Sequence, residues 1–117
     1  MSKTIVVDGK TYVEESTKAK KKNNLEYKIV RTYSAGVFAG YVESRNGKEV
    51  VLRDARRIWK WEGAASLSQL AQEGTSKPED CKFPCEIDKI EVLEAIEILD
   101  VTEKAKKSID SVPVWSA

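Results

Sequence analysis

Histidine is absent from this 117-residue chain, cysteine occurs only at Cys81 and Cys85, and no apolar run exceeds a few residues. Each absence excludes something. Without imidazole there is no Ser-His or Cys-His nucleophile pair, because nothing is present to take the proton. Two thiolates alone cannot build the usual four-ligand zinc site, so no metal is expected. The short apolar runs fall far below the ~20 residues of a membrane helix, and "MSKTIVVDGKTY" lacks the apolar stretch of a signal peptide, so a cytosolic protein is expected. In a reducing cytosol "CKFPC" reads as two free thiols rather than a disulfide loop. Carboxylate or lysine acid-base chemistry stays formally open, but no spacing points to it.

What remains is an ordinary globular composition, 41% hydrophobic and 33% charged, at a length that fits one domain with one modest core. Net charge is +1, yet it is unevenly spread. Residues 1 to 60 hold 14 Lys/Arg against 7 Asp/Glu (+7), and residues 61 to 117 hold 6 against 12 (−6). Such asymmetry serves a phosphate-bearing partner or the association of two copies, or else the two ends neutralise each other in the fold.

The periodicity is mostly that of strands. "TIVVDGKTYVEE" sets Asp8-Gly9 between two β-rich arms and predicts a hairpin over residues 1–15. Residues 16–24, "STKAKKKNN", read as an exposed basic loop. In "LEYKIVRTY", Leu25, Tyr27, Ile29, Arg31 and Tyr33 share one face. Arg31 is there either a cation aimed into a pocket or a side chain snorkelling at the sheet's end. "SAGVFAG" is too rich in small residues to pack well as a regular strand; it suggests a bulge, or close approach to a ligand or another chain. A second hairpin turns at Asn46-Gly47, and a two-residue loop there sets Val42 opposite Val51, Tyr41 opposite Leu52 and Phe38 opposite Ala55.

Beyond it, Ser66 and Gln69 form an S-x-x-Q capping box, with Gly74 where a terminating glycine belongs. "IDKIEVLEAIEILDVT" fits either helix or strand, and its β-branched content favours one long, bent strand. Thr102 caps a short basic helix, and Trp115 anchors the tail. The fold class predicted is α+β: a small antiparallel β-rich domain built from hairpins, with two short helices.

One stretch carries a chemical signal, "DARRIWKWEGAASLSQ". Arg56 and Arg57 offer guanidinium forks for phosphate, Trp59 and Trp61 offer faces for a base, and Ser66 stands at a helix start. The structural alternative is equally direct: tryptophans belong to cores, and a capping box needs no ligand. On a regular strand Arg56 and Arg57 also point to opposite faces, so at most one enters any single pocket.

"RTYSAGVFAGYVESRNGKEVVLRDARRIWKWEGAASLSQLAQEGTSKPEDCKFPCEID", followed by "VTEKAKKSIDSVPVW", resembles a family of small bacteriophage proteins from about residue 27 to residue 115. The layout is similar to that of the phage Thoeris anti-defence proteins of the first type described, sponges for the cyclic ADP-ribose signals of bacterial TIR-domain enzymes. The resemblance implies a small β-rich fold with two helices, homo-oligomers, action in the host cytoplasm, and capture of the ligand intact. It also implies arginines on the phosphates, carried by residue type to Arg56 or Arg57, and an aromatic ring on the adenine, carried to Phe83. Expected, then, is a non-enzymatic binder of a cyclic nucleotide with no cofactor and no membrane partner. Its competitors are a nucleic-acid-binding accessory protein, suggested by the basic front half and interleaved Tyr, Trp and Arg, and a virion structural protein. An enzyme comes last, for want of a catalytic set.

Overall fold

A computed structural model describes residues 17–116 together with two strand segments before them, β1 (Thr4–Val7) and β2 (Lys10–Val13). These two pair antiparallel with Val7 opposite Lys10. The first hairpin therefore has the expected pairing, while its turn at Asp8-Gly9 lies outside the described residues. The basic segment is not a free loop. Ala19 N–H donates to Val101 O (2.8 Å) and Glu103 N–H to Thr17 O (2.9 Å), while Lys20 N–H bonds Glu103 Oε1 (2.8 Å). Lys22 and Leu25 exchange both backbone bonds around Asn23 and Asn24, whose φ values are 51° and 64°. That is the left-handed pair a two-residue type I′ turn requires, and asparagine tolerates it.

Five strands form the main sheet: β3 (Glu26–Thr32), β4 (Val37–Asn46), β5 (Glu49–Arg57), β6 (Ile87–Val92) and β7 (Ala95–Asp100). All pairs are antiparallel, in the order β6-β5-β4-β3-β7. The long strand predicted at 87–101 is thus two strands that occupy opposite ends of that order, yet only Leu93 and Glu94 separate them. A flat sheet cannot do this, since its outer strands would lie about 19 Å apart at ~4.8 Å per strand. The sheet must curl round, and two bonds mark where it meets itself: Ala95 N–H to Lys48 O and Tyr33 N–H to Glu94 O, both 2.9 Å. Val30, Phe38, Val50, Leu52, Ala55, Val92 and Ala95 fill the inside of this curled sheet, a partly open barrel in which β6 and β7 are joined by the chain but not by a ladder.

The outer face carries a second apolar layer. Tyr27, Ile29, Ala39, Tyr41 and Ile58 meet Leu70 and Ala71 of α1 (Leu67–Glu73) and Ala105 and Ile109 of α2 (Glu103–Asp110), with Phe83 among them. Both helices start as their sequences predict. Ser66 Oγ accepts from Gln69 N–H (3.2 Å), Thr102 Oγ1 accepts from Ala105 N–H (3.0 Å), and Gly74, at φ 80°, ends α1. Strand and helix content therefore make this a small antiparallel α+β fold.

The register of β4 and β5 differs from expectation. Asn46 pairs Glu49, so the loop is Gly47-Lys48, and Val42 faces Leu52, Tyr41 faces Arg53 and Phe38 faces Arg57. Only Gly47 has a positive φ (62°), the pattern of a II′ turn with glycine first, whereas Asn46-Gly47 would have needed both. Two bulges then adjust the pairing: Glu43 is extra on β4, and Asp54, at φ 48°, is extra on β5. Gly40 lies opposite this second bulge, where a Cβ would sit 2.9 Å from Ala55 Cα and Cβ. The small residues of "SAGVFAG" thus admit a neighbouring strand of the same chain.

Candidate functional site

β5 delivers the two arginines to different surroundings, as strand alternation predicts. Arg56 points to the outer face, which α2, the Phe83 loop and the tail cover, and it is 8% exposed. Its fork is fully engaged by backbone carbonyls. Nε donates to Pro84 O (3.2 Å), Nη1 to Ile109 O (3.2 Å) and Val112 O (3.0 Å), and Nη2 to Phe83 O (2.8 Å) and Pro113 O (3.3 Å). Five N–H donors meet five acceptors, two of them at the C-terminal end of α2, where a cation also suits the helix dipole. Burial lowers the guanidinium pKa from its ordinary value. Arg56 therefore has no N–H left for a phosphate, and its assignment as a phosphate ligand is corrected: it ties the tail and α2 to the barrel.

Phe83 is corrected with it. Its ring is fully buried and stacks 5.4 Å from the Arg56 guanidinium, so no face is open to an adenine. Ser66 is occupied as a cap, on a helix of only seven residues. Arg31 pairs with Glu97 across the β3–β7 edge (Nε to Oε1, 3.1 Å), both side chains being largely exposed. It is the rim cation of the two readings, pointing into no pocket.

Arg57, Trp59 and Trp61 are brought together. They line an open groove of about 410 Å³ with Ile58 on one side and the Ser34–Val37 loop on the other. Arg57 is positioned twice: Nη1 donates to Ala35 O (2.6 Å), and the guanidinium lies 4.5 Å from the Phe38 ring centroid. Trp61 is half-buried against the outer core. Trp59 is 63% exposed. Its ring runs nearly parallel to that of Trp115, with an interplanar angle of 12° and centroids 6.4 Å apart.

The cations of the described residues divide into paired and unpaired, and those of the groove are unpaired, as are Lys20, Lys21, Arg45, Lys48, Lys77, Lys104 and Lys107 elsewhere. Among the described residues Lys18, Lys22, Lys28, Arg31, Arg53, Lys89 and Lys106 all have a carboxylate partner. Arg57, Lys60 and Lys82 are in none of these ion pairs. A second concavity of about 400 Å³ is lined by Lys22, Arg56 and Lys106 against Asp54, Glu86 and Asp110, with Tyr27, Tyr41, Val112 and Val114. There Lys22 meets Asp54 and Lys106 meets Asp110, each at 2.6 Å. The Asp54 hydrogen bond holds Lys22 above its ordinary pKa; at Lys106 burial is the largest single influence and pulls downward, but the hydrogen bonds and charges of Asp110 and Tyr41 together raise it. Burial raises the Tyr27 phenol, which stays neutral. That cavity is already neutralised from within.

Sequence reasoning found three of the groove residues and missed the rest of the face. Trp115 was legible only as an anchor, and Lys60 and Lys82 stand in unrelated segments joined by an isolated antiparallel bridge.

The fold is a small antiparallel α+β domain whose curled five-stranded sheet carries an aromatic groove with one arginine in it. More particularly, the chain belongs to the family described as a domain of unknown function (DUF6948), whose model matches residues 25–109. The match starts beside β3 and ends within α2, so it covers the barrel and both helices and excludes Trp115. Comparison with curated proteins and with solved structures gave no match.

Proposed function

We propose that the protein is a non-catalytic binder of a nucleotide-derived anion, which it takes into the Arg57–Trp59 groove and holds unaltered. The observation that carries this reading is the Arg57 guanidinium. It is fixed by one carbonyl and one aromatic face, free of any carboxylate partner among the described residues, and set beside an exposed indole. Phosphate suits the fork and a base suits the ring. The groove lining of Ser34–Val37, Arg57, Ile58, Trp59 and Trp61 holds no carboxylate, imidazole or thiol, which favours capture over turnover.

The resemblance to phage anti-defence proteins gives this chemistry a purpose: sequestration, in the host cytoplasm, of an immune signal of the cyclic ADP-ribose or cyclic oligonucleotide type. Capture of a signal active at nanomolar levels takes on the order of −12 kcal/mol. An open groove on one chain is shallow for that, so the proposal includes a homo-oligomer in which a second copy covers the ligand. No helix is long and apolar enough to cross a membrane among the described residues.

The test is to mix purified protein with cyclic ADP-ribose isomers and cyclic oligonucleotides, filter, and analyse both filtrate and heat-denatured retentate by mass spectrometry. Depletion from the filtrate with intact recovery from the retentate is the expected result. A ligand recovered in altered form would make the protein an enzyme, and ligands left in the filtrate would remove the sequestration reading. Light scattering of the same sample measures the oligomer.

A further inference from the structure

We infer that the ligand carries two bases joined through phosphate, the first in the groove at Arg57 and Trp59 and the second stacked on Trp115 beside Lys82 and Lys60. This rests on the nucleotide reading of the groove and names its ligand class. A mononucleotide would use Arg57 for its phosphate and Trp59 for its base. The surface continues beyond that. Trp115 lies next along the column, 44% exposed, with its ring nearly parallel to that of Trp59.

Trp115 is held there by its backbone, since its N–H donates to Phe83 O (3.0 Å) and the neighbouring Val114 bridges to Phe83. The Lys82 ammonium lies 5.3 Å from the Trp115 ring centroid. Lys60 is joined to Lys82 by paired backbone bonds, Lys60 N–H to Lys82 O (3.2 Å) and Lys82 N–H to Lys60 O (2.8 Å). The groove's Arg57 guanidinium and Trp59 indole are thus continued by the Trp115 indole with the Lys82 ammonium over it, and neither Lys82 nor Lys60 is in an ion pair among the described residues. Two stacking faces with a cation at each end match two bases with phosphate charge alongside, and a stack on a second ring gives on the order of tenfold in affinity. Such a phosphodiester flanked by two bases occurs in a free dinucleotide and in a single strand.

The experiment uses the full chain with three probes: adenosine monophosphate, the linear dinucleotide pApA, and an adenylate 12-mer, followed by tryptophan quenching and calorimetry. Wild type is expected to bind pApA about tenfold more tightly than the monophosphate. Trp115→Ala should erase that difference and leave the monophosphate affinity unchanged. Lys82→Ala, at an exposed position, should weaken pApA alone and serves as the second variant should the tail detach in the first. Equal affinity for the two small probes in wild type, or a Trp115→Ala loss shared by both, overturns the two-base assignment.

Failure of the underlying groove reading looks different: Arg57→Ala would then bind both small probes like wild type. The 12-mer identifies the source. An affinity within about tenfold of pApA is what its eleven or so overlapping two-base registers supply and indicates the free dinucleotide, whereas a much larger gain that falls steeply with salt indicates a strand. Both results support the two-base ligand.

Discussion

Arg56 and Arg57 are adjacent on one strand and chemically identical, yet the fold makes one a structural tie and leaves the other at a groove. The difference lies in what covers each face of β5. Over Arg56 lie the end of α2, the Phe83–Pro84 turn and the tail, which together present five carbonyls, those of Phe83 and Ile109 also accepting a backbone N–H. Over Arg57 lies only the Ser34–Val37 loop, which presents one. A guanidinium is thus a ligand-binding group where the backbone leaves its N–H donors over, and a cross-link where it does not. Residue type does not decide between these roles; the count of acceptors does.

The comparison is broken most forcefully at Arg56. Arg56→Ala leaves the Pro84, Val112 and Pro113 carbonyls without their donor and takes one of two donors from Phe83 and Ile109, and should destabilise the protein by about 3 kcal/mol or more, since each buried unsatisfied group costs roughly 1–3 kcal/mol and water recovers part of it. Urea denaturation measures the loss. Arg56→Lys should recover little, because one ammonium has three donors at a single point and cannot reach carbonyls on three segments. If Arg57→Ala were equally destabilising, the distinction drawn between the two residues would fail.

At Arg57 the same substitution should instead remove binding. Folding stability is expected to change by about 1 kcal/mol or less, as one carbonyl contact and one ring contact are lost at a partly exposed site. Ligand affinity should fall at least a hundredfold, about 2.7 kcal/mol, with Arg57→Lys between the two because it keeps charge but not the fork. Titration of the nucleotide probes into each folded variant measures this.

Gly40→Val sharpens the comparison from the inner side of the barrel. The new side chain would meet Ala55 at the bulge that aims the two arginines, and overpacking of this kind costs about 1–3 kcal/mol. A melting temperature lowered with the oligomer mass unchanged is the expected result.

How far this was legible in the sequence follows from the range of each interaction. Turn and cap chemistry is local, and the hairpins, Ser66, Gly74 and Thr102 could be read from neighbours alone. The β4–β5 register missed because Gly47 serves as the first residue of a Gly47-Lys48 II′ loop rather than the second of an Asn46-Gly47 loop, and the bulges at Glu43 and Asp54 then shift the pairing further. Residues 87–100 read correctly as strand, but closure of the sheet through Leu93-Glu94 depends on which strands β6 and β7 pair with, which periodicity does not encode. The site divides the same way. Opposite faces for Arg56 and Arg57 followed from a period of two, whereas the burial of Phe83 and the carbonyls around Arg56 come from segments about 25 to 60 residues away along the chain.

The smallest effect separates the cross-link that Arg56 makes to uncharged carbonyls from the ion pairs that hold the segment 17–22. Lys28 contacts both Asp100 and Glu26, and Lys18 reaches Asp100 at 3.5 Å. The hydrogen bond from Lys28 holds Asp100 below its ordinary value of 3.8, and the same lysine holds Glu26 below 4.5. A carboxylate whose folded pKa is depressed contributes stability that is fully present above its unfolded value and is lost as pH falls through the folded one. Stability should therefore decline on acidification below about pH 4. The Asp100 share is under about 1 kcal/mol, because its side chain is about half exposed and solvent screens the pair. Asp100→Asn should reduce that acid slope, and added salt should weaken it in wild type. The contribution of Arg56, made to uncharged carbonyls, should respond to neither. Urea midpoints at pH 7 and pH 3 for wild type, Asp100→Asn and Arg56→Lys measure both: an acid loss unchanged in Asp100→Asn would remove the role given to that carboxylate, and a loss abolished in Arg56→Lys would show that the buried guanidinium is coupled to titrating groups after all.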